Sequence, residues 1–254
     1  MRMPAGETKI SMQPRRSNRA ASRGLTLLEM AIVMTITGLL IESLLTGQGL
    51  IHNARVHDIV SQQSAVESAF QAFQDRFRAL PGDYSAASTN INCGATPCLN
   101  GNGNWRIEAG SGGAIHEEIL AWHHLSAAGF LRGSYVMANA GVTAPAPDNT
   151  PTNVFEGYLE IVYDSNWGYS GNGKSRHNIK TGNDIPAAVL AEVDGRIDDG
   201  LPGSGHFQFS TYAGAGTAPV VGGTPNGCTD ANSATASWIQ SGGSDNCGAA
   251  SLLF

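Results

Sequence analysis

The feature that most constrains this chain is a run of apolar, small and hydroxylic residues from Leu25 to Ile51, broken by strongly polar side chains only at Glu29, Glu42 and Gln48. A helix of about 20 such residues is long enough to cross a bilayer. Ahead of it, Arg2, Lys9, Arg15, Arg16, Arg19 and Arg23 stand against one acid, Glu7. The whole chain carries a net charge of −6, so everything after this basic tract is strongly acidic. Basic residues are retained on the cytoplasmic side of a span, which predicts an N-terminus inside and the remainder outside. Cys93, Cys98, Cys228 and Cys247 all fall in that exported part. An even number of cysteines in an oxidising compartment predicts two disulfides. Of the three possible pairings, proximity in the chain selects Cys93 with Cys98 and Cys228 with Cys247.

An ordinary secretory signal is cut after its apolar core and loses it. Here the sharp junction, Ser22-Arg23-Gly24 followed by Leu25-Thr26-Leu27-Leu28-Glu29, lies before the apolar run. A glycine closing a basic leader, then an apolar residue, a threonine, two apolar residues and a glutamate, resembles the motif of type IV prepilins and pseudopilins. Among them it is most similar to the type IVb pilins, whose leaders are long and whose first mature residue is often not phenylalanine. The motif covers about the first fifth of the chain.

The resemblance implies cleavage between Gly24 and Leu25 by a membrane prepilin peptidase and methylation of the new amine on Leu25. It also implies that Glu29 pairs with that amine on a neighbouring subunit. A carboxylate inside hydrocarbon is costly without a partner, so the position is a functional candidate on physical grounds as well. The bland reading is a glutamate at the interface, favoured by the helix N-terminus. Glu42 lies deeper, and no role is assigned to it.

Beyond the span, Val56, Ile59, Val60, Val66, Phe70, Phe73, Phe77 and Leu80 recur at three- and four-residue spacing, with polar residues between them. This predicts an amphipathic continuation of one helix as far as Leu80, stopped by Pro81-Gly82. From Leu25 it would be about 84 Å long. Gly38, Gly47 and Gly49, with Thr35, Thr37 and Thr46, give this helix small faces, which suit close helix packing as well as they reflect the ordinary tolerance of glycine in membrane helices. Residues 83–113 read as a loop, 114–128 as a helix closed by Gly129, and 138–153 as an exposed connection. Strands are predicted at 157–164 and 205–212, a helix from Ile185 to about Asp199 capped by Asp184, and a last short strand at 237–240. The order is that of an α+β chain and resembles the type IV pilin fold, a long helix packed on an antiparallel sheet with inserted helices. Its domains are a leader (1–24), a membrane or filament-core half-helix (25–51), an amphipathic half (52–80) and a globular head (81–254). Cys228 and Cys247 resemble the C-terminal disulfide loop of that family.

Gly168 to Ser175 matches the letters of a phosphate-binding loop, G-x-x-x-x-G-K-S. That chemistry needs a helix opening at Lys174 to hold the phosphates, and the following residues have no apolar helical face and break at Gly182. A glycine-rich hairpin turn is expected instead. His116-Glu117 lacks the second histidine of a zinc-protease helix, and His123 and His124 read as a polar helix edge. Asp194, Asp198 and Asp199 are the calcium candidates, although their spacing is not an EF-hand loop and acids before a glycine stop are common turn chemistry. Lys174, Arg176 and Lys180 form a small basic cluster on an acidic part that repels phosphate, so nucleic acid is not an expected partner.

No catalytic residue, metal or cofactor is expected. The resemblance implies a pilin or minor pilin, first a single-pass inner-membrane protein and then part of an extracellular filament. Its partners would be identical or related pilin subunits, the prepilin peptidase/methyltransferase and an inner-membrane assembly platform. The alternative is a periplasmic pseudopilin of a type II secretion or DNA-uptake machine. From another class, the head would be a tethered binding module or enzyme.

Overall fold

The computed structural model describes residues 26–110, 114–169, 174–223 and 227–253. It is an α+β chain dividing into two compact units, Met1–Gln48 and Gly49–Phe254. One helix, α1, runs Leu27–Phe77. Within the first unit its side chains are exposed almost throughout. It is the one helix among the described residues long and apolar enough to cross a membrane.

In the second unit α1 becomes one-sided, burying Val56, Ile59, Gln63, Val66, Ala69, Phe70 and Phe73. Burying each large apolar side chain contributes roughly 1.5–3 kcal/mol. Those favoured positions are the ones the three- and four-residue spacing selects. The helix stops before the expected Pro81-Gly82, because Arg78 takes a left-handed conformation, φ 54°.

The head carries a short helix α2, Ala87–Asn90, inside the stretch expected as loop. Helix α3, Glu117–Ala127, is closed by a Schellman motif. The Phe130 N–H donates to Leu125 O at 3.0 Å and Gly129 N–H to Ser126 O at 3.1 Å, with Gly129 at φ 80°. That reversal is why glycine stands there. Strand β1, Glu160–Asp164, pairs antiparallel with β2, Arg176–Lys180, placing Glu160 opposite Lys180 and Ile161 opposite Ile179. Helix α4, Ala187–Ile197, follows. Strands β3, Phe207–Phe209, and β4, Ala249–Leu252, complete a four-stranded antiparallel sheet in the order β1-β2-β4-β3.

Two expectations need correction. Asp184 does not cap α4: it sits at φ 63°, the helix begins after Pro186, and no side chain caps it. The segment 237–240 is not a strand and contributes only a bridge from Trp238 to Thr229. Strands β2 and β4 were not expected, since RHNIK and AASL carry little of the aromatic and β-branched signal that marks a strand.

The two largest of four apolar clusters among the described residues lie against α1. In one, Phe70 and Phe73 of α1 meet Trp122 and Leu125 of α3 and the sheet residues Ile161 and Ile179. In the other, Val56 and Ile59 meet Leu190 and Val193 of α4, Phe207, Phe209 and Trp238. Both disulfides form as proximity selects, Cys93–Cys98 and Cys228–Cys247.

Candidate functional site

The cleavage candidates Gly24 and Leu25 lie outside the described residues. Thr26 opens α1: its Oγ1 accepts the Glu29 N–H at 3.2 Å, and its carbonyl accepts the Met30 N–H at 3.1 Å. Thr26-Leu27-Leu28-Glu29 is also the sequence of a capping box, so the same residues that carry the motif start a helix. The backbone N–H of Glu29 is therefore satisfied. Among the described residues its carboxylate, like that of Glu42, has no side-chain partner.

Behind this cap the helix shows a nearly complete apolar coat. Leu27 is 92% exposed, and Val33, Leu40, Leu44 and Leu50 are each half-exposed or more. The hydroxyls that interrupt it turn inward on their own backbone. Thr35 donates to Ala31 O at 2.6 Å, Thr37 to Val33 O at 2.8 Å, Ser43 to Leu39 O at 2.9 Å and Thr46 to Glu42 O at 3.0 Å. Such back-bonding removes each donor from the surface, which suits a surround without water. A Cβ added at Gly38, Gly47 or Gly49 would meet nothing within 4 Å.

The three acids read as calcium candidates do converge: one oxygen from each of Asp194, Asp198 and Asp199 lies within 4.8 Å of the others. Their oxygens are engaged in folding the turn after α4. Asp194, fully buried, accepts from Trp238 Nε1 at 2.7 Å and from the Gly200 N–H at 3.2 Å. Asp198 accepts from the N–H groups of His206 and Phe207. Asp199 accepts from the Leu201 N–H at 2.9 Å and Ser204 Oγ at 2.7 Å. Burial raises the Asp194 carboxyl to about 6.

Residues 170–173 of the phosphate-loop look-alike lie outside the described residues. Past them Lys174 and Ser175 lead into strand β2, which pairs antiparallel with β1, where the chemistry would require a helix.

The histidines are not an edge, because the face of α3 from Glu117 to Leu125 is buried throughout. His124 lies in the core: its Nδ1 accepts the Gly82 N–H at 3.0 Å and its Nε2 meets Leu99 O at 2.9 Å. This pairing requires the neutral Nε2–H tautomer, and burial lowers its pKa to about 4. His123 Nδ1 accepts the Met137 N–H at 3.3 Å.

A set of buried polar residues escaped the sequence reading. Asp83 accepts from the N–H groups of Asn104 at 2.9 Å and Trp105 at 2.8 Å. Glu117 accepts from those of Asn102 at 2.9 Å and Glu108 at 3.2 Å, and burial raises its pKa to about 7. Together they fold the segment Asn100-Gly-Asn-Gly-Asn-Trp-Arg-Ile-Glu108, whose alternating Asn and Gly was the available signal for a tightly turned loop. Beside it Lys180, 1% exposed, pairs with Glu160 at 2.9 Å and with Asp164. Glu108, Glu117, Tyr163 and Asp164 line an open cleft of about 780 Å³.

Comparison of the chain with protein-family models, with curated proteins and with solved structures finds no match.

Proposed function

We propose that this chain is a structural subunit, a pilin or minor pilin, of a filament of the type IV pilus kind. It is cut after Gly24 and drawn out of the membrane by packing its first half-helix against copies of itself or related subunits. The observation that carries this reading is the change along α1. Residues Leu27 to Ile51 present large apolar side chains on every side, while Val56 to Phe73 bury one face in the head. A tether alone needs only the first property. A subunit that leaves the bilayer needs an apolar half that identical helices can cover, joined to a half fixed to its head.

Glu29 supports the reading through its position. Its N–H is capped by Thr26 and its carboxylate has no side-chain partner among the described residues, which supports a pairing with the amine of Leu25 on an adjacent subunit. That pairing neutralises two charges in an apolar surround and fixes the axial step between subunits. Asp83, Glu117, Asp194, Asp198, Asp199, His123 and His124 are engaged in folding the head.

The test is a Gly24→Val variant expressed beside the wild type. The wild type is expected to run as a shortened chain and to appear in filaments sheared from the cell surface. The variant is expected to keep its leader and stay in the membrane. Unchanged mobility and location of the variant would sink the proposal. A shortened wild type that never reaches sheared filaments would move the assignment to a pseudopilin.

A further inference from the structure

Lysine buried to 1% on a strand is uncommon and requires an explanation. Lys180 on β2 points along the sheet face that also carries Glu160, Val162 and Asp164 of β1 and Asn178 of β2, because the register places Glu160 opposite Lys180, Val162 opposite Asn178 and Asp164 opposite Arg176. Its Nζ meets Glu160 Oε2 at 2.9 Å and Asp164 Oδ2 in direct contact. The Tyr212 ring lies 5.3 Å from Nζ. Trp167, Ala250 and Leu252 form an apolar cluster beside this face.

The two carboxylates around this amine are not equivalent. Asp164 turns one oxygen, Oδ2, to the amine, while Oδ1 accepts from Asn178 Nδ2 at 2.9 Å and from the Asn166 N–H at 3.2 Å. Two donors on one oxygen hold the carboxyl still and polarise its carbon, as donors do at the acyl carbon of an oxyanion site. Glu160 is the more buried of the two, with a side chain 11% exposed against 29% for Asp164. Burial raises the Glu160 carboxyl above its ordinary range, although Lys180 opposes this. Its contact with Nζ places it to take a proton from the amine. Asp164 also lines the open cleft, which gives a small leaving molecule a way out.

We propose that Lys180 and Asp164 condense into an intramolecular isopeptide bond, with Glu160 as the proton carrier and Asn178 holding the oxygen that remains. The step balances without a co-reactant. Glu160 takes a proton from the Lys180 ammonium, and the freed Nζ lone pair attacks Cγ of Asp164. Glu160 delivers that proton to Oδ2, a second proton follows the same path from nitrogen, and the Cγ–Oδ2 bond breaks to release water. Two opposite charges become one neutral amide, and Glu160 returns to its starting state. The bond joins β1 to β2 covalently and encloses residues 165–179. It does not depend on the filament reading.

The experiment is a tryptic digest, under denaturing conditions, of the full-length chain purified in detergent. A non-reduced aliquot must first show the Cys228–Cys247 linkage, so that only folded material is scored. The expected product is a branched peptide joining residues 133–174 to residues 177–196, uncut after Lys180 and lighter than the sum of its parts by one water. Lys180→Arg and Asp164→Ala should abolish it. Glu160→Gln, close in shape, should leave most of the chain unlinked while the Cys228–Cys247 linkage persists. Quantitative recovery of a free peptide ending at Lys180 from folded wild type would overturn the bond and leave an ordinary buried ion network. A Glu160→Gln protein linked as fully as the wild type would overturn the role given to Glu160.

Discussion

His124→Leu removes one ring that bridges two loops of the head. Leucine keeps the apolar contact with Phe73, whose ring stacks on the imidazole at 6.1 Å, but leaves the Gly82 N–H and the Leu99 carbonyl without partners. Stranding a buried donor or acceptor costs about 1–3 kcal/mol, and Leu99 is only partly buried, so the loss at neutral pH should be about 2–4 kcal/mol. The distinctive signature is its pH dependence. His124 titrates at 6.5 unfolded and at about 4 folded, so on acidification the unfolded chain binds the proton first. The stability it supplies is complete above 6.5 and is lost as pH falls towards 4. Between about pH 7.5 and about pH 5 the wild type should lose about 2 kcal/mol through this ring, and the leucine variant none. The contributions of Glu117, His177 and Asp194 are common to both proteins and cancel. Urea unfolding followed by tryptophan fluorescence, on both full-length proteins in the same detergent, measures the gap. A gap that does not narrow by at least half that amount would refute the neutral, buried assignment of His124.

Two further perturbations separate backbone geometry from cross-linking. Gly82→Ala should destabilise the head by more than about 2 kcal/mol, because Gly82 sits at φ 86° and an added Cβ would lie 2.3 Å from the Glu117 carbonyl oxygen; a melting temperature within error of the wild type would contradict this. Replacing Cys228 and Cys247 by serine opens a loop with a sequence separation of 19, against 5 for Cys93 and Cys98. Chain entropy gives about 3 kcal/mol for the longer loop and about 1 kcal/mol less for the shorter. Denaturant midpoints of the two double variants in the reverse order would show that native-state packing outweighs loop closure.

What was legible in the sequence was whatever depends on periodicity. The burial of Val56, Ile59, Val66, Phe70 and Phe73 follows from helical spacing, and Gly129 announced the end of α3 because few residues other than glycine accept its φ. Strand β2 was illegible for a physical reason. His177, Asn178 and Lys180 are polar, yet all are buried, and their partners are supplied by β1 and other distant segments. Polar burial is decided by tertiary pairing, and no local pattern records it. Asp184 looked like a helix cap because aspartate commonly is one. Instead its N–H is taken by the Asn246 side-chain oxygen at 3.1 Å, and the cap went to Pro186. At the candidate site, the Thr26–Glu29 cap could be read from four adjacent letters. The nest of Asp83 and Glu117 around the Asn-Gly loop could not, since its acids stand far from that loop in the chain.

The strand order β1-β2-β4-β3 has a consequence in time. β4, Ala249–Leu252, lies between β2 and β3, so the ribosome delivers a central strand after every other described strand. Until it arrives β3 has no neighbour in the sheet, and Cys228 waits for Cys247 two residues ahead of β4. The β1–β2 hairpin can pair early because its contacts are local, while completing the sheet requires long-range closure. Folding of the head is thereby coupled to the emergence of the last of its described strands.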